Sequence, residues 1–141
     1  MQRKGSAIWR GGLKDGKGTV STDSGVLKDT QYSFSARFES GAGTNPEELL
    51  AAAHAGCFSM ALSGQLGNAN LTAESIRTIA TVTLDKVEGG FAITRVHLDV
   101  KAKIPGANQA AFNTAANNAK AGCPVSKLFK AEITMNASLE P

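Results

Sequence analysis

Thr44 to Leu62 reads TNPEELLAAAHAGCFSMAL, and this stretch decides the fold. Asn45 is a good N-cap, Pro46 suits the first helical position because the N–H it lacks would be unpaired there, and Glu48 completes a capping box with Asn45. From Leu49 onward only His54 and Ser59 interrupt a run of Leu, Ala, Gly, Cys, Phe and Met, so the spacing predicts a helix with no face suited to water. Such a helix has to be covered on every side. The run from Leu49 to Leu62 is too short to cross a bilayer, which makes the cover protein. The small residues Ala51, Ala52, Ala53, Ala55 and Gly56 let another backbone come close.

Upstream of the helix, Gly5 to Arg10 and Lys17 to Asp23 read as short strands separated by the turn signals Gly11-Gly12 and Asp15-Gly16. Gln31 to Glu39 alternates, with Tyr32, Phe34, Ala36 and Phe38 on one face and Ser33, Ser35, Arg37 and Glu39 on the other, which predicts a third strand with Arg37 on its polar side. Ser40-Gly41-Ala42-Gly43 turns the chain into the central helix, and Gly64 to Asn70 ends it. Downstream, Ser75 to Asp85 and Gly90 to Ile104 form a strand hairpin. The second of these changes phase between Ile93 and Val96, which places a bulge near Thr94-Arg95. Pro105-Gly106 breaks the strand, and Gln109 to Lys120 reads as a helix stopped by Ala121-Gly122. Cys123 precedes Pro124 and a short helix over Val125 to Phe129, where helical N–H groups would point at its sulfur. Ala131 to Leu139 alternates as a final strand. The order βββαββααβ predicts an α+β fold of antiparallel meanders around apolar helices, not a doubly wound parallel sheet.

A length of 141 residues predicts a single domain over 1–141. With 42% hydrophobic and 19% charged residues the composition is that of a globular chain, which excludes disorder. The net charge is only +3 and the basic residues are scattered singly, so no nucleic-acid partner is expected. The opening MQRKGSAIWR has no apolar run behind its charges and no other stretch reaches membrane-spanning length, so neither a leader nor a membrane is expected and the default location is cytoplasmic. In that compartment two cysteines are inert thiols, metal ligands or redox groups rather than a permanent disulfide.

Each candidate has a bland counterpart. Cys57 on an apolar helix reads on its own as a small hydrophobe, whereas Cys123 at a helix N-terminus sits where thiolate is favoured, so the two can serve as an attacking and a resolving thiol. His54 and Cys57 are three apart on one helix, and Cys123 and His97 could complete a four-ligand shell. His97 has no ligand spacing to either cysteine, however, and neither a metal nor another cofactor is expected. His54 one turn from Cys57 can influence it or simply be a hydrogen-bonded interior residue. Arg37 and Glu47 each read alone as surface charges, Glu47 as a favourable one at a helix start. Glu47 and Cys57 are ten residues apart, about 15 Å along a straight helix, and cannot touch within it. If both serve one site, either the helix proper starts after Glu47, or a two-fold dimer brings Glu47 of one subunit to Cys57 of the other; the dimer is preferred.

Taken together, TNPEELLAAAHAGCFSMAL and KAGCPVSK resemble the osmotically inducible protein C and organic hydroperoxide resistance family of thiol peroxidases. The resemblance extends through GKGTVST, SGVL, YSFSARFE, LDKVEGGFAIT and KAEIT, and lies nearer the osmotically inducible branch. It implies an intertwined homodimer whose sheets wrap two central helices, with active sites at the subunit interface, and a peroxidase reducing organic hydroperoxides, with hydrogen peroxide as a secondary candidate substrate. By position it implies Cys57 as the attacking thiolate and Cys123 as the resolving thiol. Arg37 would be the guanidinium beside the sulfur, with Arg10 and Arg77 as other candidates, and Glu47 the carboxylate that orients it. The cycle runs through a Cys57 sulfenic acid and a Cys57–Cys123 disulfide, reset by an external dithiol of lipoyl or thioredoxin type. Phe58 and Met60 are expected to offer an apolar wall for the alkyl part of the substrate. The rival class is a non-catalytic redox-sensing or small-ligand module using the same cysteines.

Overall fold

The computed structural model describes residues 1–141, which form two compact units, Met1–Leu49 and Leu50–Pro141. In the first, Gly11, at φ 96°, and the Gly16 N–H bonded to the Gly12 carbonyl turn β1 (Gly5–Arg10) back on β2 (Lys17–Thr22). β3 (Thr30–Tyr32) adds to the other edge of β2, all antiparallel, as expected of a meander. Trp9, Gly18 and Tyr32 stand in one row across the three strands. The two rings, 5.4 Å apart, cover the glycine so closely that a Cβ there would strike both.

The strand expected over Gln31 to Glu39 stops at Tyr32. Ser33 accepts the Ala36 N–H at 3.1 Å and caps a one-turn helix, α1 (Phe34–Phe38). The alternating apolar positions that suggested a strand also place Phe34 and Phe38 four apart, and the rings pack at 4.8 Å along the helix. A local side-chain cap decided between the two periods.

The central helix, α2 (Pro46–Asn68), starts as its sequence predicts, with the Asn45 side chain accepting the Glu48 N–H at 2.8 Å. Only half of the capping box forms, because the Glu48 carboxylate takes the Thr44 hydroxyl at 2.7 Å. Asn45 also donates to the Ala36 carbonyl at 3.0 Å, tying α1 to the helix start. The helix runs past Gly64 and Gly67 and closes in a Schellman motif with Asn70 left-handed at φ 57° and the Leu71 N–H on the Leu66 carbonyl. At 23 residues it is long and apolar enough to cross a membrane by length and composition, which corrects the expectation that no stretch reaches that size. Its stripe of His54, Phe58, Leu62 and Leu66 is spent on the protein core. The rest of the helix is only partly covered, and Met60 is 79% exposed.

In the second unit β4 (Ser75–Val87) and β5 (Gly90–Lys103) form a long hairpin turning at Glu88-Gly89. Thr83 pairs with Arg95 and Leu84 with Ile93, so Thr94 is the bulged residue, as the phase change predicts. Beyond it Val96, Leu98, Val100 and Ala102 alternate inward. α3 (Gln109–Gly122) is capped by Asn108 and buries Phe112, Ala115, Ala116 and Ala119 against the same core. α4 (Pro124–Leu128) follows at once, and β6 (Glu132–Leu139) returns to the sheet. β6 runs parallel to β5, a departure from the all-antiparallel expectation, because the α3–α4 crossover carries the chain back to the end of β5 nearest the bulge. The α+β class stands.

Candidate active site

Two elements of the second unit bring the cysteines together. Cys57 lies in the middle of α2; Cys123 ends α3 and precedes Pro124, which starts α4 without needing an N–H. Their sulfurs are 2.8 Å apart, both thiols free, Cys123 fully buried and Cys57 partly exposed. A formed disulfide is about 2.05 Å, so little movement separates this dithiol from a bond. The helix N-terminus acts on a different sulfur from the one the sequence suggests. The Val125 N–H acts on Cys57, favouring its thiolate, while no side-chain cap bond joins Cys123 to α4. Burial pushes the Cys57 thiol above the ordinary value of 9.0, the Cys123 hydrogen bond adds to this, and the Val125 N–H opposes it.

His54, one turn before Cys57, is fully buried, with Nε2 2.7 Å from the Ser126 hydroxyl and its ring 5.4 Å from Phe129. Burial lowers its pKa below 6.5, so the ring is neutral at pH 7. His97 bonds Thr134 at 2.6 Å and lies 3.4 Å from Asp99, and no group of three His, Cys, Asp or Glu side chains is placed to hold a metal ion.

In the first unit α1 and the start of α2 hold Arg37 and Glu47 in a fork. Arg37 Nε donates to both carboxylate oxygens at 3.1 and 3.2 Å, and Nη2 donates to Oε1 at 2.8 Å. The guanidinium is thereby fixed in direction, with its carbon 5.2 Å from the centre of the Phe38 ring. Of the three arginines considered, Arg37 is the one that holds Glu47; Arg77 lines a different groove with Asp99 and Lys101, and Arg10 ends β1 opposite Lys17.

Sequence reasoning missed the groove beside the fork, about 240 Å³ and lined by Trp9, Leu13, Tyr32, Ser33, Phe34, Arg37 and Phe38. Its only signal was the aromatic content of YSFSARF. The expected apolar wall is not where Phe58 stands, since Phe58 is fully buried in the core.

An α+β scaffold that holds two free thiols in contact defines a dithiol protein. The profile of the family described as OsmC-like protein matches residues 39–138. The chain is 54% identical over 140 residues to Peroxiredoxin OsmC of Escherichia coli K12, covering 99% of this chain and 98% of that protein. It is 32% identical over 124 residues to the organic hydroperoxide resistance protein OhrB of Bacillus subtilis, covering 87% and 89%. The crystal structure of that OhrB superposes with a TM-score of 0.71 at 29% identity, over 97% of this chain and 98% of the other. The OsmC-like protein of Mycoplasma pneumoniae shares the fold at a TM-score of 0.78 and 14% identity, over 100% and 99% of the two chains. The chain belongs to the OsmC family.

Proposed function

We propose that the chain is a cysteine-based peroxidase that reduces organic hydroperoxides to alcohols. The observation that carries this is the 2.8 Å approach of two free thiols lying 66 positions apart. Cys57, the partly exposed one, attacks the O–O bond as thiolate; the alcohol leaves and Cys57 becomes a sulfenic acid. Cys123 displaces hydroxide from that sulfur, its own proton completing a water molecule, and the Cys57–Cys123 disulfide is reset by an external dithiol of lipoyl or thioredoxin type. The names carried by the Escherichia coli and Bacillus subtilis relatives, a peroxiredoxin and an organic hydroperoxide resistance protein, support the same chemistry.

Attack requires thiolate, and burial alone works against it. Arg37 supplies the missing cation. Held in direction by Glu47, its fork would bind the peroxide oxygens and stabilise the developing alkoxide once a partner subunit brings it to the sulfur. Glu47 and Cys57 belong to one unbroken helix, about 15 Å apart along its axis, so the fork of one subunit serves the thiol pair of its partner in a two-fold dimer. The exposure of Met60, Ile79, Phe91 and Leu128 in the single chain supports such a partner. The aromatic groove next to Arg37 receives the alkyl group, which favours organic hydroperoxides over hydrogen peroxide.

The test is a thiol count on the reduced protein after one equivalent of an alkyl hydroperoxide, followed by addition of a dithiol. Loss of two thiols, release of alcohol and repeated recovery are expected. Cys57→Ser should abolish turnover, and Cys123→Ser should consume one peroxide and stop as sulfenic acid. Undiminished multiple turnover by Cys57→Ser would refute the assignment, and single-shot oxidation without recovery would favour a sensor.

A further inference from the structure

Three links join α2 to α4: the contact between the two sulfurs, the Val125 N–H on Cys57, and the hydrogen bond of 2.7 Å between His54 Nε2 and the Ser126 hydroxyl. The first two involve sulfurs that change in every turnover. The third does not, and its placement is symmetrical, since His54 comes three residues before Cys57 and Ser126 three residues after Cys123. Each brace residue is thus about one helical turn from a thiol. His54 is fully buried, Ser126 is 8% exposed and Phe129 packs on the ring, so water does not compete for the bond. His54 Nδ1 is buried with no partner. An imidazole that leaves one nitrogen unpaired in a core is retained at a cost, where an apolar side chain would pack without one.

We infer that His54 and Ser126 are positioning residues for the resolving step, pinning α4 so that Cys123 faces Cys57 after Cys57 has been oxidised. In that step the S–O bond of the Cys57 sulfenic acid breaks and the S–S bond forms. The hydroxide that leaves combines with the Cys123 thiol proton as water, Cys123 being oxidised and the sulfenic sulfur reduced. Because the brace touches neither sulfur, it acts on closure and not on peroxide attack. Closure depends on an approach held to a fraction of an ångström, so a freed α4 slows it steeply. The inference rests on the proposed roles of Cys57 and Cys123.

The experiment follows both steps in rapid-mixing single turnovers of the reduced full-length protein with tert-butyl hydroperoxide. Cys57 oxidation is read by dimedone trapping and closure by disappearance of the Cys123 thiol. Ser126→Ala is expected to leave the first rate unchanged and to slow the second about ten-fold or more, with trapped sulfenic acid accumulating. Ser126→Thr keeps the hydroxyl and should restore closure. His54→Phe keeps an aromatic ring beside Phe129 and removes the bond to Ser126, so it should reproduce the Ser126→Ala pattern and serves as the second variant if Ser126→Ala does not fold. Unchanged closure in a folded variant, or equal slowing of both steps, would overturn the brace while leaving the peroxidase reading intact. Absence of a Cys57 sulfenic acid and of the Cys57–Cys123 disulfide in the unmodified protein would overturn both.

Discussion

Replacing Arg37 by Met removes the proposed cation and leaves an apolar side chain of similar length. Within the second unit the Cys57 thiol lies above 9.0, because burial and the Cys123 contact outweigh the single Val125 N–H. If the fork lowers the pKa by about two units, it supplies about 2.7 kcal/mol to the charged form and raises the thiolate fraction at neutral pH by tens-fold. Arg37→Met should therefore slow the second-order reaction with an alkyl hydroperoxide by one to two orders of magnitude at neutral pH. The deficit should shrink as pH rises toward the pKa of the variant thiol, leaving only the part due to lost alkoxide stabilisation. Arg37→Lys restores the charge without the paired donors that Glu47 aligns, and should fall between the two. The assay is stopped-flow oxidation across pH, with thiolate absorbance followed on the unreacted protein. If the thiolate titration and the pH profile of Arg37→Met overlay those of the unmodified protein, the guanidinium does not act on Cys57 and the reasoning fails.

His54 titrates below 6.5 in the fold and near 6.5 in the unfolded chain, so between those values only the unfolded chain binds the proton. Its contribution to stability is fully present above pH 6.5 and is lost as pH falls through that window. Urea midpoints should drop as pH falls below about 6.5, and the drop should be smaller in His54→Phe. Gly18→Ala should cost about 1–3 kcal/mol, because the new methyl group strikes the Trp9 and Tyr32 rings. Trp9 is the only tryptophan, so its fluorescence during thermal unfolding reports on that row directly, and an unchanged midpoint would refute the close fit.

The features legible in the sequence were those with one local cause. Asn45 and Pro46 mark the start of α2, the phase change marks the bulge at Thr94, and Pro124 starts α4 beside Cys123. Features with two local solutions are not legible in this way. Phe34 and Phe38 satisfy both periods of a strand and a helix, and only the Ser33 side chain selects α1. The stretch Gly64 to Asn70 does end α2, but Gly64 and Gly67 stay inside the helix and the left-handed Asn70 closes it. Alternation in β6 shows a strand but carries no direction, so its parallel pairing could not be read. Of the candidate site, the cysteines and the Arg37–Glu47 fork were identified as residues. Their surroundings were not, because Val125 reaches Cys57, Ser126 reaches His54, and Trp9 and Leu13 complete the groove beside Arg37 only through long-range folding.

The contact between the two sulfurs has a thermodynamic side. A bond there would close a loop spanning 66 positions, enclosing β4, β5 and α3. In the chain-entropy account such a tether removes about 4 kcal/mol worth of freedom from the unfolded ensemble. The spent form of the protein would then be its hardest form to unfold. Oxidation would make the chain more resistant to heat and proteases while it waits for a reductant, so a melting temperature measured in cells would read out the redox load on the protein rather than the quality of its folding.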